Sequence, residues 1–499
     1  MKIIDCHVHT QPLADYRSAA ERLLKHMYLH RIEQVIISDL GGSSWVAFPD
    51  SKTLQDANDR LQKFCQSTNG AASYLVYLNP QLDDWHDEFK RHCQTAVGVK
   101  LWVSLRREND SSLARSIEVL KCAAQYELPV LIHTFDRTDG LTAGSVGINE
   151  IIELARAVPE CRIVAAHACG RWRKAIKRAA EFPENIAFDV SGYYPERGMV
   201  QRFVAAFGSK RVLYGSDAPG RSFGSQLQKV FEADLSDEER SDILYNNAKR
   251  IFKLSENVPN VAAEPLPRRE LADLQTDHFC FCGEAPWFDH IVSVDELAGV
   301  LNENNVKHAY TASLEAASNP DKISANKKFV DASRIYKNIH PLAAVDLSDM
   351  LQAVNQLENM AGFAGIWLSP YLHGYKLDAP EYRSFFELCA QRHYPIWINI
   401  SLSDDRFRCR DLKSRCVADP EIINFALSAP ENQYILQGVN NHIYWDKVLP
   451  ENFLLEYSRL SDGEYLAGDY NGRKKRLVRG SEYPFRSYNA VDNVLLGKL

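Results

Sequence analysis

The sequence predicts an α/β protein built as two tandem (β/α)8 TIM-like barrels, and three observations carry that reading. Through the first 254 of its 499 residues, short apolar runs alternate with amphipathic stretches, the pattern of a parallel sheet covered by helices. Eight such runs within about 250 residues make up the complement of one closed barrel. The second half then repeats landmarks of the first at a spacing that stays near 267 residues, the sign of an internal duplication.

Taken in order, the first run, Ile3-Ile-Asp-Cys-His-Val-His9, ends on two histidines. Residues i and i+2 of a strand point to one face, so His7 and His9 can converge on a single point, which a metal ion can occupy. A helix is expected over Tyr16–His30, then strand Gln34–Leu40, helix Asp56–Ser67, strand Ser73–Leu78, helix Trp85–Thr95 and strand Val97–Trp102. Helix Ser111–Tyr126, strand Pro129–His133, helix Asn149–Val158, strand Arg162–His167 and helix Trp172–Phe182 follow. Strand Asn185–Val190, helix Gly198–Phe207, strand Arg211–Asp217 and a closing helix over Ser236–Phe252 complete the set.

The polar residues fall where such a barrel places its chemistry. Lys100 lies in the fourth strand, while His133, His167 and Asp217 end the fifth, sixth and eighth. The carboxyl ends of barrel strands form one mouth, so His7, His9, Lys100, His133, His167 and Asp217 are expected on one rim. Arg137 and Arg171 occupy loops beside that rim and can hold a carboxylate in bidentate fashion; Trp45, Tyr193 and Tyr194 on neighbouring loops read as packing.

The formal charge of −7 leaves no basic excess for nucleic acid or an anionic membrane. No apolar run approaches the roughly 18 residues of a membrane helix, and the chain opens directly on its first strand, so a cytoplasmic protein is expected. Eleven cysteines, an odd number, argue against a complete disulfide set. Cys280-Phe-Cys282 has no second ligand pair at zinc-finger spacing and reads as structural; a softer site from His278, Cys280, Cys282 and Glu482 is the lesser alternative.

The ordered motifs His7-Val-His9, Gly98-Val-Lys100-Leu, Leu131-Ile-His133-Thr, Ala166-His167-Ala-Cys-Gly170 and Tyr214-Gly-Ser-Asp217-Ala-Pro219 resemble the amidohydrolase superfamily, and within it the amidohydrolase-2 group. Asn246-Asn-Ala-Lys-Arg-Ile-Phe252 is similar to that group's closing segment, so the resemblance covers about residues 1 to 254. It implies a divalent metal at the mouth, mononuclear or binuclear, held by His7, His9, His133 and Asp217. Zinc suits such a mixed imidazole and carboxylate set, with manganese a substitute. An ion of that kind keeps a position open for water and lowers its pKa toward neutrality, and Asp217 can take the proton as general base. His167 would stand beside the metal as a further ligand or an electrophile. A lysine at the position of Lys100 is carboxylated between two metals in some relatives and touches substrate in others.

The implied activity is metal-dependent hydrolysis of a small amide, lactone or cyclic imide. A metal-dependent decarboxylase of a small unsaturated or aromatic acid is the alternative, and a non-catalytic binding or scaffold protein belongs to a third class. The expected partner is a small-molecule substrate, with no nucleic acid and no membrane, and a homo-oligomer is compatible with the sequence.

Residues 255–270, with three prolines, read as a linker, and 271–499 as the second barrel. Gly365-Ile-Trp-Leu-Ser echoes Gly98-Val-Lys-Leu-Trp, Tyr394-Pro-Ile-Trp-Ile-Asn399 echoes Leu128-Pro-Val-Leu-Ile-His133, and Arg479-Gly-Ser-Glu-Tyr-Pro484 echoes Tyr214-Gly-Ser-Asp-Ala-Pro219. In this copy the first two histidines fall within Asp277–Cys282, Lys100 becomes Trp367, His133 becomes Asn399, His167 becomes Gly438 and Asp217 becomes Glu482. One carboxylate without imidazoles cannot reproduce a His-rich site, so the second barrel is expected to be catalytically silent.

Overall fold

The eight apolar runs of the first half pair in chain order as a parallel eight-stranded sheet. They are β1 (Ile4–His9), β2 (Gln34–Ser38), β3 (Ala72–Leu78), β4 (Gly98–Leu101), β5 (Val130–Ile132), β6 (Ile163–Ala165), β7 (Ile186–Asp189) and β8 (Val212–Leu213). The sheet closes on itself: Cys6 N donates to Tyr214 O at 3.1 Å and His9 N to Ala218 O at 2.7 Å. The computed structural model describes residues 1–10, 23–24, 27–28, 30–41, 49–102, 111–135, 146–192, 196–221, 223–255, 275–286, 288–402, 417–428, 432–439, 448–456, 458, 477–486 and 488. Trp45, Arg137, Tyr193, Tyr194 and all but Ser255 of the expected linker lie outside them. The chain divides into two compact units, with the division between residues 255 and 275.

Strand periodicity sorts the first barrel into an apolar floor and a polar mouth. Ile4, Cys6, Ile36, Leu75, Leu131, Val164, Ala187 and Leu213 form one buried cluster with Ala248, Ile251, Phe252 and Leu254 of the closing segment. The alternate positions, among them Val35, Val76, Val99, Ile132, Ile163 and Phe188, pack in the cluster that also holds the helices' apolar faces. Two residues further along the inward faces stand Ser38, Tyr77, His133 and Asp189, and Lys100 shares that parity in β4. A register shift in β1 between Asp5 and Val8 lets Cys6 join the floor while His7 and His9 join the mouth.

Several element ends differ from the sequence expectation, each through contacts that periodicity does not carry. The helix expected from Asp56 begins at Ser51, because Asp50 caps it by accepting from Thr53 N at 2.8 Å. The sixth strand stops at Ala165 because His167, Ala168 and Cys169 adopt φ values of 52°, 44° and 61°. The eighth stops at Leu213, where Tyr214 N turns away to Ile243 O at 2.8 Å. A helix at Phe223–Phe231, unexpected from sequence, precedes the closing helical segment.

The second unit holds a nine-stranded sheet in which β9 (Thr276–Ala285) carries an antiparallel neighbour, β10 (Phe288–Val292). The remaining strands run parallel in chain order: β11 (His308–Ser313), β12 (Ile339–Val345), β13 (Gly365–Leu368), β14 (Ile396–Asn399), β15 (Tyr434–Gln437), β16 (Phe453–Glu456) and β17 (Leu477–Val478). This sheet too curls back on its first strand, with His278 N on Arg479 O at 2.7 Å and Phe281 N on Tyr483 O at 2.6 Å. Its interior is aromatic, with Phe279, Phe281, Trp367 and Trp397 in one buried cluster.

The same hydrogen bonds recur within each unit, at equivalent residues 265 to 272 positions apart. Asn58 donates to Tyr77 O and Glu88 and accepts from Tyr77 N; Asn326 does the same with Ala344 O, Gln356 and Ala344 N. Asp5 accepts from His7 N and Ser216 N, and Asp277 from Phe279 N and Ser481 N. By that register Phe279 and Phe281 stand where His7 and His9 stand in β1.

The alternative softer metal site is not assembled. Cys280 and Cys282 lie in the cluster on the opposite face from Phe279 and Phe281, and burial pushes both thiols up. The nine described cysteines are free, and all but Cys122 are buried. Among the described residues, no helix is long and apolar enough to cross a membrane.

Candidate metal centre

The end of β1 and the turn after β8 bring His7, His9 and Asp217 together, with one ligand atom of each inside 4.8 Å of the others. His7 Nε2 and His9 Nε2 lie 3.1 Å apart, and Asp217 Oδ1 is 3.4 Å from His9 Nε2 and 3.8 Å from His7 Nε2. Asp217 reaches this point in a left-handed conformation, φ 64°, with its N–H on His7 O at 2.8 Å. Lys100 Nζ approaches from β4 and donates to His7 Nε2 at 2.8 Å.

The outer nitrogens of the two imidazoles are already engaged. His7 Nδ1 is 3.0 Å from Asp189 Oδ2, and His9 Nδ1 is 3.3 Å from the Ser38 carbonyl oxygen and 2.9 Å from its hydroxyl. A carboxylate can only accept, which assigns the proton of His7 to Nδ1 and leaves a lone pair on its Nε2; the Ser38 hydroxyl can donate or accept, so His9 can present either a lone pair or an N–H from Nε2 to Asp217. In the Nδ1–H form of His9, two imidazole nitrogens and a carboxylate oxygen converge on one small space; a metal ion there would take the His7 lone pair that the Lys100 ammonium meets in this structure. Two nitrogens bound at about 2.0–2.1 Å to one tetrahedral zinc stand roughly 3.3 Å apart, close to the separation here.

Burial depresses the basicity of this group, which favours neutral imidazoles as metal donors. His7 and His9 are both lowered by burial, with the Lys100 ammonium adding to it. Burial brings His167 down to about 4 and Lys100 down to about 8. Burial alone would raise Asp217; the imidazoles of His167, His9 and His7 outweigh it and hold the carboxyl well below its usual range. Shifts of this kind, caused by burial together with specific charged neighbours, are what functional sites display.

His167 sits on the left-handed turn after β6. Strain of about 1–3 kcal/mol per non-glycine residue in that region persists where surrounding contacts over-determine it. Here His167 N donates to Asp189 Oδ1 at 3.2 Å, and Gly192, at φ +80°, lies so close that a Cβ there would stand 2.2 Å from His167 Nδ1. His167 Nε2 meets His133 Nδ1 at 3.1 Å.

The structure thus joins His7, His9 and Asp217 directly, Lys100 through His7, and His133 through His167. His133 lies against Trp102 and Phe135, with ring centroids 5.4 and 6.3 Å away. Arg171 follows the left-handed turn and is half-buried; among the described residues, Arg221 brings a guanidinium to the site's loops, its Nε donating to Gly192 O at 3.2 Å. Sequence reasoning missed Asp189, Ser191 and Lys229, all buried. Asp189 was within reach of parity alone, two residues beyond inward Ala187, whereas Lys229 belongs to the unexpected helix.

Comparison with known proteins places this barrel. The amidohydrolase family, type 2, matches residues 4–254. No curated protein matches. Among solved structures, a candidate amidohydrolase from Staphylococcus aureus is similar over 51% of this chain and 100% of its own, at 15% identity and a TM-score of 0.43. Dihydroxybenzoic acid decarboxylase from Polaromonas sp., with bound manganese, is similar over 50% and 97%, at 16% identity and a TM-score of 0.40. 5-Carboxyvanillate decarboxylase from Sphingomonas paucimobilis is similar over 51% and 99%, at 16% identity and a TM-score of 0.40. The family match spans half of the chain, takes in β1 to β8 and every residue of the centre, and the chain belongs to the amidohydrolase family.

Proposed function

We propose that the first unit is a metal-dependent hydrolase of a small amide, lactone or cyclic imide, and that the second is a duplicated, catalytically silent copy. The observation that carries this is the convergence of His7 Nε2, His9 Nε2 and Asp217 Oδ1 at the barrel mouth. A divalent ion, zinc by donor chemistry with manganese a substitute, would be held by His7, His9 and Asp217, with His133 as a further donor, and would supply an activated water and a Lewis acid. Asp217, kept ionised by its imidazole neighbours, is the base that accepts the proton of the attacking water and returns it to the leaving group. Lys100, buried beside His7, offers positive charge to the oxyanion that develops on the substrate. His167, depressed by burial, stays neutral at physiological pH.

The silence of the second unit is supported by what fills its mouth. Trp367 stands at the level of Lys100, packs 5.8 Å from Phe281 and 6.4 Å from Phe279, and donates its Nε1 hydrogen to Gln437 Oε1 at 2.9 Å. Glu482, at the place of Asp217, is held by Arg486 Nε at 2.7 Å.

The test is a panel of small amides, lactones and cyclic imides, with small aromatic and unsaturated acids alongside, assayed with zinc- or manganese-loaded protein. Hydrolysis that is abolished in His7→Ala and Asp217→Asn and retained in Glu482→Gln is the expected result. Release of CO2 from the acids without hydrolysis of the others would replace this reading with a decarboxylase.

A further inference from the structure

We propose that one buried carboxylate, Asp189, places the protons on three imidazoles of the mouth, with Ser191 as the link to two of them. Asp189 ends β7 and is fully buried, as is Ser191 two residues on. Its Oδ2 faces His7 Nδ1 at 3.0 Å. Its Oδ1 accepts from Ser191 N at 2.9 Å, from His167 N at 3.2 Å and from the Ser191 hydroxyl.

The proton inventory of these groups allows one arrangement. An ionised carboxylate donates nothing, and a hydroxyl has a single hydrogen. Ser191 gives that hydrogen to Asp189, so its lone pairs face His167 Nδ1 at 3.0 Å and His7 Nδ1 at 3.1 Å. Both Nδ1 atoms must therefore carry protons. His167 Nε2 is then a lone pair, and the His133 Nδ1 that meets it at 3.1 Å must be the donor. His133 is left with its lone pair on Nε2. The chain of assignment runs from Asp189 to His7 directly, and from Asp189 through Ser191 and His167 to His133.

His7, His167 and Asp189 also satisfy the spacing of a cation site in their own right. The Ser191 hydroxyl lies within hydrogen-bond reach of all three, so the space between them is filled by a hydrogen-bond hub rather than left for an ion. The segment is braced from behind: the buried Lys229 ammonium donates to Val190 O, and Arg221 Nε donates to Gly192 O. Asp189 and Ser191 are positioning residues, acting through the imidazoles they orient, as outer hydrogen-bond partners of metal ligands do. The proton placement rests on these hydrogen bonds alone; only the use of the free Nε2 atoms of His7 and His133 as metal donors depends on the reading of the mouth as a metal centre.

The experiment is long-range 1H–15N correlation spectroscopy of histidine-labelled, metal-free full-length protein near pH 7, with signals assigned by single His→Gln variants. The parent should show His7, His133 and His167 in the Nδ1–H form. Ser191→Ala should scramble His167 and His133 and leave His7 on Asp189. Asp189→Asn, whose amide can itself donate, should scramble all three and weaken zinc affinity ten- to a hundredfold in a chelator competition. If Ser191→Ala does not fold, Ser191→Cys, a much poorer hydrogen-bonding group, carries the same readout. An Nε2–H signal for His167 in the parent, or unchanged His167 and His133 signals in the Ser191 variant, would overturn the proposal. Correct tautomers in a protein that fails to bind zinc would uphold it and remove the metal reading instead.

Discussion

A carboxyl group at the end of the seventh strand meets opposite fates in the two units. Asp189 is ringed by imidazole donors: burial alone would raise it, and His7 and His167 hold it below the usual range. In the second unit Glu456 ends the corresponding strand and accepts from Ser458 N as Asp189 does from Ser191 N. With Phe279 and Gly438 in place of the histidines, burial and the Glu482 carboxylate push it up to about 8. Folded Glu456 therefore keeps its proton while the unfolded chain loses it near 4.5, so the folded state binds more protons between about 4.5 and about 8. Stability of the second unit should fall as pH rises through that window. Denaturant titrations at several pH values should show a shallower alkaline loss in Glu456→Gln; a slope equal to the parent's would exclude this proton as its source. At this scale the histidines of the candidate centre were legible because barrel parity gathers strand ends. Asp189 went unread because it ends its run without a histidine neighbour to draw notice.

At the scale of elements, the strands were legible and their ends were not. Uniformly apolar runs announce parallel strands, yet β6 and β8 stop early for reasons far off in sequence, such as Tyr214 N turning to Ile243 O. The left-handed turn after β6 is likewise set by contact with the Asp189–Gly192 segment. Adding a methyl at Gly192 meets both a φ of +80° and the His167 ring. Gly192→Ala is expected to cost about 1–3 kcal/mol in stability and to abolish activity by displacing His167; full activity would show that the turn tolerates a shift. The paired clamps of Asn58 and Asn326 tie a helix to the third strand in each unit. Loss of either side chain leaves buried backbone groups unpaired, so Asn58→Ala and Asn326→Ala should each destabilise by about 1–3 kcal/mol, read by denaturant unfolding. A negligible change in one alone would mean that the two clamps are not equivalent.

Across the whole molecule, the two halves share a pattern that their interiors do not. The same strand order, the same buried asparagine and the same Asp-to-backbone bonds recur; the carboxyl and serine that end the seventh strand recur as Glu456 and Ser458, while the places of His7, His9, Lys100, His133, His167 and Asp217 hold Phe279, Phe281, Trp367, Asn399, Gly438 and an arginine-bound Glu482. Glycines that allow close approach recur as well: a Cβ at Gly98 would stand 2.7 Å from Pro129 O, and one at Gly365 2.7 Å from Pro395 O. The recurring pattern was legible as regularly spaced landmarks. The aromatic filling of the second interior was not, because it depends on the β9 register that turns Phe279 and Phe281 inward and Cys280 and Cys282 outward.

The most direct measurement is metal content after equilibrium dialysis against zinc, taken in parallel for the parent, His9→Ala and Glu482→Gln. The parent and Glu482→Gln should retain the same amount of zinc, and chelator should lower the melting temperature of both. His9→Ala should retain none and be indifferent to chelator. Zinc absent from the parent, or lost equally from Glu482→Gln, would contradict a metal centre confined to the first barrel.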